Sequence, residues 1–378
     1  MTLRRPWARR EYEAAESDDC RFEGPCMPLV LNGDRTPALW ADKTASRPKR
    51  SVSSTDRWPV AVRIAFVNNM PDSALEDTEI QFFELLDSAS GEFPVQVTLY
   101  SLPNVVRGER GQQHLSNFYR SINDLWNSHF DGIIVTGTEP RQPDLRDESY
   151  WSVMCDVFDW AAENTSSTVL SCLAAHAGVL HSDRIDRHPL GDKKFGVFGY
   201  EKACDHPLTA GTPELIRNPH SRWNEVREDA LVACGYVVLT KSAEAGVDLF
   251  VRKKKKSLFV HFQGHPEYGA LTLLKEYRRD IRRFIRQERE TYPSMPLGYF
   301  DVSATKLLND FRETVLACRR EELMTGFPDA VIVKTLENSW QSSAKGVYRN
   351  WLQYLSSRQT DAPVRNSSND QGKVHVGR

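Results

Sequence analysis

The stretch TVLSCLAAHAGVL, residues 168–180, decides the fold. Its first half is apolar and of strand length, its second is a run of small helix formers, and only Cys172 stands between them. A buried strand that turns directly into a helix is the repeating join of a parallel α/β sheet, which places its sites at the carboxyl ends of the strands. Outward from this join, VAVRIAFV (60–67), VQVTLYSL (95–102) and FDGIIVTG (130–137) read as further strands. The first is almost continuously apolar, as suits a sheet covered on both faces. Between them, Asp72 to Leu86, the stretch around Leu115 to Trp126, and Tyr150 to Ala162 read as helices. Strands alternating with helices predict a doubly wound, mostly parallel sheet flanked by helices. Further on, GYVVLTKS (235–242) is β-rich, and GVDLFVRKKKKSLFVHFQGH (246–265) reads as a hairpin with Lys253–Lys256 at a solvated turn. The segment LTLLKEYRRDIRRFIRQERE (271–290) reads as a solvated amphipathic helix, its arginines interleaved with acids.

Composition narrows the function classes. In 378 residues, 49 basic side chains face 51 acidic ones, a net charge of −2 that argues against a general polyanion binder. No apolar run approaches the roughly 20 residues that cross a bilayer, and the N-terminus lacks a signal-type stretch, so the cytoplasm is the expected location. The seven cysteines are odd in number and scattered without a CxxC pair, which predicts neither a disulfide framework nor a structural zinc site. Residues 1–58 are polar and are expected to be a mobile N-terminal extension, 59–356 the folded domain, and 357–378 a disordered C-terminal tail. Within the extension only MPLVL, from Met27, is apolar; it either docks onto the body or marks an alternative start.

Two places carry chemistry. A cysteine at a strand-to-helix elbow is exposed at the sheet edge, and the N–H groups that follow, beginning with Leu173, point at whatever its sulfur holds. That setting favours a thiolate and then an oxyanion, although a buried structural cysteine fits the local sequence too. In GHPEY (264–268), His265 and Glu267 lie on one side of an extended segment, where the carboxylate can fix the tautomer of a histidine that moves protons near neutral pH. Together they make a candidate Cys-His-Glu triad.

At this point the chain resembles a known family. VNNMPDSALEDTEIQF (67–82), FDGIIVTGTEP (130–140), STVLSCLAAHAG (167–178), KKFGVF (193–198), NPHSRWNEVR (218–227), EAGVDLF (244–250), GHPEYGALTLLKEYRRD (264–280) and WQSSAKGVYRNWLQYL (340–355) follow in the order found in homoserine O-acyltransferases of the succinyltransferase type. The resemblance spans roughly residues 60–356 and implies a class I glutamine amidotransferase-like (flavodoxin-like) fold, making 59–356 an acyltransferase domain. It implies transfer of an acyl group from acyl-CoA to the homoserine hydroxyl, with Cys172 as nucleophile, His265 as base and Glu267 as its partner. Leu173 N–H and a donor from the Gly137–Thr138 turn would form the oxyanion hole. Lys193, Ser221 and Arg279 match substrate-binding positions, and Arg222 stands beside them. The acyl-CoA enters as a substrate, so no resident cofactor or metal is expected, and relatives imply a homodimer.

The departures sharpen the reading. Where the family has a lysine pair after Met-Pro, this chain has Asp72 and Ser73; the elbow has Leu173 for tryptophan, and His176 replaces a glutamine. His176 either faces the site or is a packed core histidine. Arg141 falls where glycine or glutamate accompanies acyl preference in the family, and an arginine can pair bidentately with the free carboxylate of a succinyl group. Succinyl-CoA is therefore the expected donor. Acetyl-CoA as donor, serine as acceptor, a glutamine amidotransferase-like hydrolase and a non-catalytic binding relative are the rival readings.

Overall fold

The computed structural model describes residues 29–31, 36–44, 61–91 and 94–360. Along the chain its strands are β1 (Val30–Leu31), β2 (Val62–Val67), β3 (Val95–Tyr100), β4 (Gly132–Thr136), β5 (Ser167–Ser171), β6 (His188–Lys202), β7 (Leu215–Glu225), β8 (Val237–Val238), β9 (Thr240–Ser242), β10 (Gly246–Val247), β11 (Leu249–Lys254) and β12 (Ser257–Phe262). The main sheet runs β1-β3-β2-β4-β5-β12-β11-β8. Its first six strands are parallel, and β11 and β8 close it antiparallel. The order β3-β2-β4-β5-β12 is the doubly wound 2-1-3-4-5 arrangement of flavodoxin-like folds. Register then places the chemistry: Thr136 pairs with Ser171 and Ser171 with Phe262, so the carboxyl ends of β4, β5 and β12 finish level.

Alternate residues of each buried strand supply opposite faces of this sheet. Ile64, Phe66 and Val169 enter one core, which helices α1 (Leu75–Ser90) and α6 (Gln341–Thr360) cover. Ala65, Val67 and Leu170 enter the other, under α2 (Trp151–Asn164) and α3 (Leu173–Asp183). Trp351 of α6 donates from Nε1 to Ser167 Oγ at 2.9 Å. It lies so close to β4 that a Cβ on Gly132 would meet Leu355 Cδ1 at 2.7 Å and Trp351 Cζ2 at 2.9 Å. A smaller antiparallel sheet, β10-β9-β6-β7, stands beside the first. Phe195 and Val197 of β6 share a third core with α4 (Thr272–Ile285), α5 (Val302–Ala317) and Trp340.

The hairpin expected at 246–265 is β11–β12, with Lys255 and Lys256 at its turn. Several expectations are corrected. The helix read around Leu115–Trp126 is two pieces, Glu109–Phe118 and Ile122–Leu125, because Arg120 bridges to Tyr100 of β3 between them. GYVVLTKS divides between the two sheets, as β8 and β9. The boundary expected at 58/59 also shifts. Val30–Leu31 pairs in parallel with Gln96–Val97, Leu29 N donates to Asp87 Oδ1 at 3.2 Å, and Trp40 meets Phe83 edge-on at 5.5 Å. The described part of MPLVL, Leu29 to Leu31, therefore docks. Residues 1–28, 32–35 and 45–60 lie outside the described residues, as does the expected tail from 361; α6 itself continues to Thr360, past the expected limit of 356. Among the described residues no helix is long and apolar enough to cross a membrane.

Candidate active site

Cys172 joins β5 to α3 with φ +51° and ψ −111°, a conformation that strains a residue bearing a Cβ. Three backbone bonds hold it there: its N–H donates to Phe262 O at 2.8 Å, and its carbonyl accepts from Ala175 N–H at 2.9 Å and His176 N–H at 3.3 Å. The side chain is half-buried at the carboxyl edge of the sheet, where the first N–H groups of α3 face it. The Gly137–Thr138 turn closes over the same point. A Cβ on Gly137 would stand 2.4 Å from Leu173 Cβ and 3.1 Å from Leu173 N, so glycine permits the close approach. One amide fixes this corner: Asn69 Nδ2 donates to Thr136 O at 2.9 Å, Asn69 N to Thr136 Oγ1 at 2.8 Å, and Leu102 N to Asn69 Oδ1 at 3.0 Å.

His265 and Glu267 follow β12, both buried. His265 donates from Nδ1 to Glu267 Oε1 at 2.8 Å and from its backbone N to Pro219 O at 2.8 Å, and its ring stacks on Tyr268 with centroids 4.2 Å apart. That tautomer leaves Nε2 to exchange a proton with Cys172. Burial opposes the imidazolium most strongly, but the charges of Cys172 and Glu267 and their hydrogen bonds more than offset it, and the His265 pKa lies well above its ordinary value. Beneath the triad, buried Asp248 accepts from Gly264 N at 2.8 Å and Asn218 Nδ2 at 2.6 Å, and burial pushes its pKa up to about 6. His176 is the packed alternative: its Nε2 bonds Gln263 Oε1 at 2.9 Å, and burial lowers its pKa to about 3, leaving it neutral.

Beyond Tyr268 lies a polar cluster that gathers three of the expected positions on a residue the sequence reading missed, Glu276. Its carboxylate accepts from Ser221 Oγ, from Tyr268 OH at 2.7 Å and from Lys193 Nζ at 3.4 Å, and Arg279 lies 3.7 Å away. Asp280 joins from the same helix, accepting from Lys193 at 3.3 Å and Arg279 at 3.2 Å. The signal available in the sequence was the Glu276–Arg279 pair at i, i+3 on a helix next to GHPEY. Arg222 does not join. Neighbours on a strand face opposite sides, and its buried guanidinium is bonded to His220 Nδ1, Asn224 O and Ala245 O.

On the loop that follows the Gly137–Thr138 turn, Thr138, Pro140, Arg141, Glu148 and Tyr150 line an open cleft of about 220 Å³. Glu148 shapes it by accepting the backbone N–H groups of both Arg141 and Gln142. The Arg141 side chain is exposed at the rim. Asp72, in place of the family's lysine, accepts from Gly108 N at 2.7 Å and pins the turn before Glu109, a structural use of the position. Among the described residues no group of three or more His, Cys, Asp or Glu is placed to hold a metal ion.

A cysteine on a strained elbow, its charge coupled to a histidine that a carboxylate orients, is the arrangement of the class of α/β proteins built for thiol-mediated acyl chemistry. Comparison with known proteins gives the family. The homoserine O-succinyltransferase family model matches residues 48–362. The homoserine O-succinyltransferase of Rhodopseudomonas palustris is 42% identical over 316 residues, covering 84% of this chain and 93% of its own length. That of Methylorubrum extorquens is 43% identical over 305 residues, covering 80% and 90%. Among solved structures, a glutamine amidotransferase from Methylobacillus flagellatus aligns over 78% of this chain and 94% of its own, with 13% identity and a TM-score of 0.42. The chain belongs to the homoserine O-succinyltransferase family.

Proposed function

We propose that this chain transfers the succinyl group of succinyl-CoA to the hydroxyl of L-homoserine through an acyl-thioester on Cys172. The observation that carries the reading is the Cys172–His265–Glu267 array, to which Tyr268 joins the Glu276 cluster by stacking on His265 and bonding Glu276. In the first half-reaction Cys172 Sγ attacks the thioester carbonyl. The oxyanion forms against Leu173 N–H and the Gly137–Thr138 turn, the bond from carbon to the CoA sulfur breaks, and CoA leaves as a thiol with the proton carried by His265. In the second, the homoserine hydroxyl gives its proton to His265 Nε2 and attacks the enzyme thioester. The bond to Cys172 Sγ breaks, and the ester leaves with the thiol restored. Glu267 keeps the imidazole in the needed tautomer and balances its charge in both steps.

The acceptor fits the polar cluster chemically. Arg279 and Lys193 suit its carboxylate, the acidic Glu276 suits its ammonium, and Ser221 lies where the length of the acceptor is read. Arg141 at the cleft rim favours an acyl chain that ends in a carboxylate. Acyl-CoA is a substrate here and no resident cofactor takes part; sedimentation at assay concentration reads the homodimer that the resemblance implies. The test is CoA release from succinyl-CoA and acetyl-CoA, each with homoserine, serine or no acceptor. Homoserine-dependent release that prefers succinyl-CoA, with a succinyl adduct by intact mass that Cys172→Ala abolishes, is expected. Release without an acceptor adduct, or none from any donor, overturns the reading.

A further inference from the structure

Arg187 belongs to none of the motifs above, yet it is bonded to the loop that lines the cleft and its charge is coupled to Cys172. It follows α3, whose chain reverses at Arg184 with φ +57°, and directly precedes β6. Its half-buried guanidinium donates from one NH2 group to Pro143 O at 3.1 Å, which anchors it to the loop after β4 that carries Thr138 and Arg141. The remainder of the five-donor fork is left for other partners. It interacts electrostatically with Tyr150, Glu148 and Asp144 on that side and with Cys172 on the other. His176, one turn into α3, feels the same charge.

Neighbouring arginines are otherwise engaged. Arg146 grips Asp144 through Nε and NH2, Arg107 is bonded to Met70 O and Ser101 Oγ, and Arg222 lies on the far face of β7. Arg141 stands exposed in solvent, where a charge pair is weak.

We propose that Arg187 receives the terminal carboxylate of the acyl chain as the acyl group passes to Cys172, and so selects a dicarboxylic acyl-CoA over one with a plain alkyl end. The proposal rests on the acyl-transfer reading above and supplies its inner specificity contact. A succinyl group spans about 4 Å from carbonyl carbon to carboxylate carbon, three bonds of roughly 1.5 Å, so its free carboxylate stays close to the nucleophile it acylates. Burial is the main influence on Arg187 and holds its pKa below the ordinary arginine value, even though Tyr150, Glu148, Asp144 and Cys172 pull it up. A guanidinium already withdrawn from water gains more from an arriving carboxylate than an exposed one does.

The experiment compares succinyl-CoA with butyryl-CoA, which has the same chain length and no terminal charge, in wild type, Arg187→Gln and Arg187→Lys. Homoserine-dependent CoA release and the rate of Cys172 acylation by intact mass are both read. The succinyl-to-butyryl ratio of kcat/KM should fall about 10- to 100-fold in Arg187→Gln and less in Arg187→Lys, which keeps the charge and secures the result if the glutamine variant folds poorly. An unchanged ratio, or an equal loss with both donors in both variants, overturns the proposal and assigns Arg187 a structural role. A wild type that releases CoA with homoserine but does not prefer succinyl-CoA overturns it while leaving acyl transfer standing. A wild type silent with every donor removes both.

Discussion

At the scale of single residues, the site depends on two contacts that admit little change. The first is Nδ1 of His265 on Glu267, 2.8 Å apart. Glu267→Gln should lower kcat by about 100-fold or more, since the imidazole loses both its tautomer and its counter-charge. The same variant carries a signature in stability. The folded-state pKa of His265 lies above its unfolded value of about 6.5, so its stabilising contribution is complete below that pH and is lost as pH rises through the folded value. The stability gap between wild type and Glu267→Gln in urea titrations should therefore be widest in mild acid and narrow towards alkaline pH. A gap that does not vary with pH would show that Glu267 does not hold the charge. The second contact is Gly137 against Leu173. Gly137→Ala places a Cβ 2.4 Å from the Leu173 Cβ, so it should displace the oxyanion donor and reduce Cys172 acylation by about 100-fold while far-UV dichroism is unchanged.

At the scale of elements, the central strands β2, β4 and β5 were legible because two-sided burial makes them largely apolar runs, and α3 was legible because small residues follow Cys172 without a break. β6 and β7 were not read as strands: HPLGDKKFGVFGYEK and LIRNPHSRWNE carry charges and prolines, and they are held by pairing to each other and by Leu297 bridging Gly196. The triad was legible for the same reason as its strands, since each member sits directly after one. Glu276 was not, because a helix turn reaches the site only through tertiary placement. Arg222 misled because adjacency along a strand is opposition across it. The C-terminal helix offers the prediction at this scale. Trp351 is 2% exposed and packs over Gly132, so Trp351→Ala should cost about 3–5 kcal/mol, read as a lower urea midpoint with an unchanged m-value.

For the molecule as a whole, chain ends far apart in sequence close one core. Gln359 Nε2 donates to Ala61 O at 3.2 Å and to Asp131 Oδ2 at 2.7 Å, and Trp40 is 3% exposed against Phe83 on the same side of the sheet. Trp40→Ala should destabilise the whole fold by about 3 kcal/mol and leave KM for both substrates unchanged; loss of catalysis at full stability would contradict that division of labour. The Asn69 amide, which ties the ends of β2, β3 and β4, has a different consequence. It settles the shape of the proposed donor side while the protein folds, so the conformational entropy of that corner is surrendered before any ligand arrives. The proposed acceptor side is the reverse, since four side chains already lean on the Glu276 carboxylate and an amino acid bound there must take their place one contact at a time. One substrate meets a mould and the other enters an exchange, and calorimetry of the two binding steps should differ accordingly, with reorganisation confined to the second.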